Sequence, residues 1–382
     1  MLSLPPLYPI TDATRPESLS AQVRRFGEAG FPLVQFRGKP LDARAQWVEL
    51  RAALAEASAN GGWPQICVND RADLAMLAAQ EGLAPWGLHL GQSDLPAAEA
   101  AGLPGLGRCH FGASTHAPSE WEAPESGCDH AGVGPFRGTA TKADHAEPIG
   151  LEGLRAGCTA LRSRDLAPIA IGGLTAADAL DCFTAGAEAL AMVGELHRGG
   201  DLAALGWAVQ RQRWQVRPPF RAGRGVVLLG GSGAGKTTVA KELAQRTDLP
   251  FHDLDAVIEQ RQGQPISAIF AAAGEPAFRA LEAEHLASLL GSPAIVALGG
   301  GAWEAPANRA TVAASGFAAL WLAESPLRAW ARVGRDPNRP LAQDRAAFMA
   351  RWAARVPAWS LAPMAIPFGH SSRELASALL NC

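Results

Sequence analysis

The feature that most restricts the possible folds of this chain is a strand–loop–helix unit that recurs eight times before residue 216. Each unit has a short apolar run, a polar or glycine-rich loop and an Ala/Leu-rich stretch of helical periodicity. Eight such units in about 200 residues favour a closed (β/α)8 barrel over an open sheet. The helical stretch 201–214 completes the last unit. The apolar runs cover residues 7–11, 33–37, 65–70, 87–91, 110–115, 130–135, 168–173 and 189–194.

A second domain follows the eighth unit. The chain has 382 residues, which is more than one hydrophobic core usually organises. Residues 216–224 contain prolines, glycine and arginines with little apolar periodicity, as is typical of a linker. We therefore expect a barrel domain at 1–215 and a second α/β domain at 225–382.

Composition restricts the partners of this chain. A net charge of -3 gives no general positive field that would attract nucleic acid or an anionic membrane. The N-terminus has no signal-like pattern, and no apolar stretch approaches the roughly 18 residues of a membrane span. Six scattered cysteines without a CxxC pair argue against a zinc site or a disulfide framework. We expect a cytoplasmic protein with small-molecule substrates, and homo-oligomers remain open.

Polar residues follow the apolar runs of the first domain. In a (β/α)8 barrel the active site lies at the C-terminal ends of the strands, so these residues are predicted to share one site. They include Gln35, Arg37, Lys39, Asn69, Asp70, Asp94, Ser114, Thr139, Thr141 and Lys142.

These residue types indicate a site for two phosphorylated groups. Asp70 and Asp94 offer the hard oxygen ligands that Mg2+ takes together with phosphate oxygens. The Gly172–Gly173 turn lies where barrels often bind a monophosphate through backbone N–H groups. A diphosphate would be faced by the cations Arg37, Lys39 and Lys142.

Residues 7–200 resemble thiamine phosphate synthases. The similarity is carried, in order, by YPITD, VQFRGK, VNDRADLA, GLHLGQSD, GASTH, GVGPFRGTATK and AIGG. It implies that Asp70 and Asp94 bind Mg2+ and that Arg37 and Lys142 take part in catalysis. The implied pyrimidine diphosphate ligands are Gln35, Arg37, Lys39, Asn69, Ser114 and Lys142. The implied thiazole phosphate ligands are Thr139, Thr141, Gly172, Gly173, Val193 and Gly194.

The implied reaction is dissociative: diphosphate leaves the aminopyrimidine methylene, and the thiazole nitrogen captures the resulting cation. Three positions depart from the family pattern, with His130 in place of an aromatic residue, Arg137-Gly138 in place of Phe-Pro and Gly194 in place of serine. A related thiazole tautomerase shares this barrel and is the main alternative, although it has little use for a full diphosphate-binding set.

The stretch GGSGAGKTT at 230–238 fits the P-loop pattern G-x-x-x-x-G-K-[ST]. It follows an apolar strand and precedes a helical stretch. Its glycines allow backbone N–H groups to surround phosphates, Lys236 reaches the β and γ oxygens, and Thr237 can bind Mg2+. The second domain is therefore predicted to be a P-loop kinase domain with a parallel sheet and ATP as co-substrate. The expected ATP-binding residues are Gly230, Gly233, Gly235, Lys236, Thr237, Thr238 and Arg339.

The acceptor of the phosphate is indicated by charged residues after the P-loop. Asp253 and Asp255 follow a strand-like run, and Arg279 and Glu282 lie on one helical face. Arginines suit a carboxylate, which a guanidinium can bind through two hydrogen bonds. The remaining candidates are Gly299, Gly300, Gly301, Arg339 and Arg355.

Residues 224–375 resemble shikimate kinases. The resemblance implies that Asp255 contacts the acceptor hydroxyl as the base and that Lys236 assists catalysis. It also implies that Asp253 supports Mg2+ and that Arg339 closes over ATP. The implied shikimate ligands are Asp255, Arg279, Gly299, Gly300, Gly301 and Arg355.

Two other functions stay open at this point. The kinase could act on a thiamine precursor alcohol such as hydroxyethylthiazole, although neither such alcohol has a carboxylate for Arg279 and Arg355. One half could be a non-catalytic ligand sensor, although a sensor would not need Asp70, Asp94, Lys236 or Asp255.

Overall fold

The structure is a computed structural model that describes residues 2–122, 126–138, 147–219, 224–336, 342–367 and 371–380. The chain divides into two compact units, Met1–Val216 and Arg217–Cys382.

The first unit is an eight-stranded parallel barrel, as predicted. Each strand pairs with its neighbours in chain order, β1 pairs with β8, and a bridge between Ile10 and Gln35 joins the two remaining edges. Every predicted apolar run matches one strand, and β7 alone begins one residue before its run. The strands are β1 Leu7–Pro9, β2 Leu33–Phe36, β3 Gln65–Asn69, β4 Gly87–Leu90, β5 His110–Thr115, β6 His130–Val133, β7 Ala167–Ile171 and β8 Ala189–Met192.

Helices connect these strands. Several begin at a residue whose side chain accepts a backbone N–H of the first turn, such as Asp42, which accepts from Ala45 N at 2.8 Å. Short 3-10 helices cover Ala176–Asp178 and Gly194–His197. The helices are α1 Leu19–Glu28, α2 Ala43–Ala59, α3 Ala72–Gln80, α4 Ala97–Ala100, α5 Pro118–Glu122, α6 Gly150–Arg162, α7 Ala179–Thr184 and α8 Leu202–Val216.

Side chains alternate between the two faces of the barrel strands. Leu33 and Cys67 belong to a small apolar cluster that also contains Tyr8 and Ile169. Val34, the residue after Leu33, belongs instead to the large cluster that includes residues of the surrounding helices. This two-residue period is what a β-strand imposes. It places alternate strand residues inside the barrel, below the predicted site.

The second unit has a five-stranded parallel sheet in the order β10-β11-β9-β12-β13. The strand before the P-loop, β9, is buried along its whole length in the middle of this sheet. The strands are β9 Val226–Leu229, β10 Phe251–Asp253, β11 Ile295–Ala297, β12 Ala318–Ala323 and β13 Met364–Pro367. The helices are α9 Lys236–Thr247, α10 Leu254–Gln262, α11 Ile266–Leu289, α12 Pro306–Ser315, α13 Pro326–Val333, α14 Arg345–Trp359 and α15 Ser372–Leu380.

Two local features of this unit matter for the site. A 3-10 helix at Ala302–Glu304 follows β11, and α11 is interrupted at Gly274, whose φ of 76° is not helical.

Among the described helices of the whole chain, none has the length and apolar character to cross a membrane.

An ion pair is buried between α8 and the barrel. Glu188 lies directly before β8 and binds both Arg213 of α8 and Arg162 of α6. The Arg213 side chain is only 2% exposed, and its Nη1 also donates to the Leu4 carbonyl at 2.7 Å. These contacts attach α8, the last helix of the barrel, to the first residues of the chain.

Replacing Arg213 with methionine should destabilise the barrel by about 3 kcal/mol, because Glu188 would keep its buried charge with one partner fewer. We therefore expect peptides from β1 and β8 to exchange their amide hydrogens about 100-fold faster, as measured by hydrogen exchange of the intact chain. Arg24→Met removes an arginine of a more exposed pair with Glu56 and should change the free energy by at most about 1 kcal/mol. Equal protection in the two variants would contradict the prediction.

Candidate active sites

The first site lies where β3 and β4 end. Asp70 follows β3 in the left-handed region with a φ of 63°, and its N–H donates to the His89 carbonyl at 2.8 Å. Asp94 follows β4 and accepts a hydrogen bond from Gly91 N at 2.7 Å. Lys39 places its Nζ 2.5 Å from Asp70 Oδ2. The structure thus brings together two predicted metal ligands and one predicted diphosphate ligand.

The electrostatics of this carboxylate pair fit a divalent cation. Burial raises the pKa of Asp94, and the adjacent negative charge of Asp70 raises it further. In the described ranges no group of three or more His, Cys, Asp or Glu side chains is arranged to hold a metal. Mg2+ would therefore depend on these two carboxylates and on substrate phosphate oxygens, which is its usual coordination.

The loop after β2 is fixed by a buried threonine. Thr11 Oγ1 accepts a hydrogen bond from Arg37 N at 2.8 Å and donates to Arg37 O at 3.2 Å. Gln35 lies two residues earlier and is buried. These contacts fix the backbone that carries the predicted diphosphate ligands Arg37 and Lys39.

His89, which was not among the predicted site residues, contacts a predicted ligand. His89 Nε2 lies 3.0 Å from the Ser114 hydroxyl oxygen, and Asn69 is paired in register with His89 on the neighbouring strand. The ring of His89 also packs against the ring of His130, and the two ring centroids are 5.7 Å apart. Burial lowers the pKa of His130 to about 3, and the nearby His89 contributes a smaller part of this decrease. The His130 ring is therefore neutral. The sequence feature that could have pointed to His130 is its position at the start of β6.

The Gly172–Gly173 turn after β7 requires glycine at both positions. Their φ angles are 101° and 62°. A Cβ on Gly172 would lie 2.6 Å from Pro135 Cα, and one on Gly173 would lie 2.9 Å from the Gly138 carbonyl oxygen. The turn is therefore covered by the loop after β6, and only residues without a side chain fit there.

The other predicted residues of the phosphate end are less constrained. Val193 follows β8 and precedes the 3-10 helix that starts at Gly194. A Cβ at Gly194 would have no atom within 4 Å, so the serine of the family pattern would also fit. The predicted ligands Thr139, Thr141 and Lys142 lie outside the described residues.

The P-loop of the second unit has the geometry of a phosphate-binding loop. Lys236, the first residue of α9, donates from Nζ to the carbonyls of Gly230 and Gly231 at 2.8 and 3.0 Å. Trp352 of α14 lies against Gly231, where a Cβ would overlap its ring. The predicted glycines all adopt positive φ, with values of 138°, 84° and 90° for Gly230, Gly233 and Gly235.

The predicted metal ligands of this unit lie side by side. Thr237 Oγ1 donates to Asp253 Oδ2 at 3.3 Å. Both residues line a cavity of about 710 Å³ together with Lys236 and Asp255. Burial raises the pKa of Asp255, and the charge of Asp253 raises it further, whereas Lys236 lowers it. This combination suits a carboxylate that accepts a proton from a substrate.

Each glycine of the turn after β11 makes room for one charged side chain. A Cβ on Gly299 would overlap the Asp255 carboxylate. A Cβ on Gly300 would lie 2.9 Å from Arg355 Nη1, and one on Gly301 would lie 2.6 Å from Arg279 Nη2. The turn therefore brings the predicted base and both predicted carboxylate-binding arginines close to one another.

The two arginines have different partners. Arg279 donates from Nε and Nη2 to Glu275 and from Nη1 to the buried Glu282. Arg355 donates from Nε to Glu304 at 3.0 Å, and it lines the cavity, unlike Arg279. Arg355 is thus the arginine placed to bind an acceptor carboxylate directly. Sequence reasoning did not identify Glu304, because its contact with Arg355 joins two elements that are distant in the chain. It also missed Glu275, although this residue lies one helical turn before Arg279 on α11.

One predicted ATP-binding residue lies away from the cavity and another is not described. Thr238 is exposed in the first turn of α9 and does not line it. Arg339 lies outside the described residues.

The geometry defines two phosphate-handling enzyme sites, one in a (β/α)8 barrel and one in a P-loop phosphotransferase unit. Family models match the same two parts of the chain. The family described as "Thiamine monophosphate synthase" matches residues 7–196, and the family described as "Shikimate kinase" matches residues 232–377.

Individual relatives agree with these matches. A thiamine-phosphate synthase of Chloroflexus aurantiacus is 39% identical over 202 residues, covering 52% of this chain and 88% of the relative. A shikimate kinase of Thermobifida fusca is 42% identical over 158 residues, covering 40% of this chain and 91% of the relative. A shikimate kinase of Ruegeria pomeroyi is 41% identical over 145 residues, covering 37% and 74%. The first half of the chain belongs to the thiamine phosphate synthase family and the second half to the shikimate kinase family.

Replacing Gly299 with alanine should displace the Asp255 carboxylate, because the added Cβ overlaps it. A displacement near 1 Å lowers catalysis by about 100-fold, so kcat/KM for phosphate transfer should fall by that order while ATP binding persists. Gly291→Ala is the control, since a Cβ there comes no closer than 3.4 Å to its nearest neighbour. Full activity of the Gly299 variant would show that Asp255 does not need its present position.

Proposed function

We propose that the chain is a bifunctional transferase. Its barrel joins hydroxymethylpyrimidine diphosphate to hydroxyethylthiazole phosphate, giving thiamine phosphate and diphosphate. Its P-loop unit transfers the γ-phosphate of ATP to shikimate. Both reactions use small phosphorylated metabolites, and we place the protein in the cytoplasm.

The barrel reaction is supported by the positions of Lys39, Asp70 and Asp94. The bond between the pyrimidine methylene carbon and the diphosphate oxygen breaks, and its electron pair leaves with the diphosphate. The thiazole nitrogen then donates its electron pair to the methylene carbon. Lys39 is placed to offset the charge of the departing group, and bound Mg2+, held by the two carboxylates, would supply further positive charge. No general base is needed for the first step.

The kinase reaction is supported by the joint position of Asp255, Lys236 and Arg355 at one cavity. Asp255 accepts the proton of the acceptor hydroxyl. The hydroxyl oxygen attacks the γ-phosphorus, and ADP leaves. Lys236 lies at the P-loop to bind the phosphates. Thr237 and Asp253 would hold Mg2+, which offsets charge on the phosphates.

The single observation that carries the choice of acceptor is the orientation of Arg355. Glu304 engages its Nε, and Gly300 gives its Nη1 room. This arrangement directs an end of the guanidinium towards the cavity, where a substrate carboxylate can bind it. A thiamine precursor alcohol has no carboxylate to bind Arg355. The relatives named above give no support to such an alcohol as acceptor, to a thiazole tautomerase or to a ligand sensor.

The purified chain tests both activities directly. ADP release with ATP and Mg2+ is measured with shikimate, hydroxyethylthiazole and hydroxymethylpyrimidine as separate acceptors, and thiamine phosphate formation is measured from the two barrel substrates. We expect ADP release with shikimate alone, together with thiamine phosphate formation. ADP release with a thiamine precursor instead would refute the proposed acceptor.

Arg355→Met should raise KM for shikimate by about 10-fold or more, because a hydrogen bond to a charged group contributes about 1.5–3 kcal/mol. The KM for ATP should change little. Arg373→Met, which alters an exposed arginine on α15, serves as the control. An unchanged KM for shikimate in the Arg355 variant would mean that another group binds the carboxylate.

A further inference from the structure

The loop after β6 lies directly over the Gly172–Gly173 turn. Phe136 N donates to the Ile171 carbonyl at 2.8 Å, and Arg137 N donates to the Gly172 carbonyl at 3.0 Å. These two bonds continue the contact between β6 and β7 beyond the ends of the strands. The conformation of the turn therefore depends on how firmly this loop is held.

An ion pair fastens the loop to the segment that follows the turn. Arg137 binds Asp178 through two parallel contacts, from Nη1 to Oδ2 at 2.9 Å and from Nη2 to Oδ1 at 2.6 Å. Such two-point contacts fix orientation as well as distance. Asp178 ends the 3-10 helix Ala176–Asp178, so the pair spans the loop after β6 and the loop after β7.

Asp178 is held as firmly as Arg137. Its side chain is only 7% exposed, and its Oδ2 also accepts hydrogen bonds from Thr175 N and Thr175 Oγ1, both at 2.9 Å. Although burial opposes the charge, the hydrogen bonds from Thr175 and Arg137 lower the pKa of Asp178. The carboxylate therefore stays ionised and keeps its partner at neutral pH.

We propose that Arg137 and Asp178 are a positioning pair that holds the Gly172–Gly173 turn in shape for the phosphate of the thiazole substrate. This inference rests on the proposed function of the barrel. Because Asp178 engages both Nη atoms of Arg137, we assign Arg137 the role of holding the turn rather than of binding the phosphate. Arg137 stands where the family pattern has phenylalanine, which could not form this ion pair.

The test compares Arg137→Ala, Arg137→Lys and Asp178→Asn in the full-length chain. KM for hydroxyethylthiazole phosphate should rise by about 10-fold in Arg137→Ala and in Asp178→Asn, since a displaced turn binds phosphate poorly. KM for the pyrimidine diphosphate and kcat at saturation should stay within about twofold, because the role proposed for the turn is to bind the thiazole phosphate and not to assist departure of the diphosphate. Arg137→Lys should lie between, because an ammonium replaces only part of a two-point contact.

Arg51→Ala is the matched control. Its side chain is 55% exposed, against 54% for Arg137, and it pairs with Glu81 between two helices. The double replacement Arg137→Asp with Asp178→Arg restores the pair in reverse and should recover part of the lost affinity. Far-UV circular dichroism of each variant shows whether the barrel is intact, and the double replacement keeps the test valid if a single variant folds poorly.

Two results would overturn the inference. The first is an unchanged KM for the thiazole phosphate in Arg137→Ala. The second is a raised KM in Arg137→Ala with a normal KM in Asp178→Asn, because this would make Arg137 a direct phosphate ligand. Calorimetric binding of hydroxyethylthiazole phosphate tests the pair separately from turnover. If the wild-type chain binds this phosphate but makes no thiamine phosphate, the proposed function fails while the positioning pair is still tested.

Discussion

Both sites depend on the repulsion between two carboxylates held close together beside a lysine. In the barrel these groups are Asp70 and Asp94 with Lys39, and in the P-loop unit they are Asp253 and Asp255 with Lys236. In the barrel, parallel strands end at the same edge, so Asp70 and Asp94, which follow the neighbouring strands β3 and β4, are brought together. In the P-loop unit, Asp253 ends β10 and Asp255 lies in the first turn of α10. Each pair carries more negative charge than its lysine offsets, which favours a divalent cation and limits where a phosphate can bind.

Glycine residues give these charged groups the space that they need. The turn at 299–301 admits one charged side chain at each position, and the turn at Gly172–Gly173 admits the backbone of a neighbouring loop. In the P-loop, Gly231 admits the ring of Trp352. A single methyl group at several of these positions would move a functional side chain or the loop that supports it. The glycines therefore set the geometry at both sites, although they carry no reactive group.

Much of the fold was predictable because its signals are local. Eight apolar runs with loops and helical stretches predicted the barrel, and the strand before GGSGAGKTT predicted the P-loop unit. The positions of Asp70, Asp94, Asp253 and Asp255 followed from their places at strand ends. The partners of Arg137 and Arg355 did not follow, since pairing between side chains on different elements depends on packing. The contact of His89 with Ser114 was missed for the same reason, because a histidine at a strand end does not reveal its neighbour.

The most direct measurement of the central claim follows both activities in one preparation of the chain with two variants, Asp70→Asn and Asp253→Asn. Each variant removes one charge from one carboxylate pair. If the two sites are separate enzymes built on separate pairs, Asp70→Asn abolishes Mg2+-dependent thiamine phosphate formation and leaves ADP release with shikimate unchanged, and Asp253→Asn does the reverse. Loss of both activities in either variant, or of neither, would contradict two independent transferase sites.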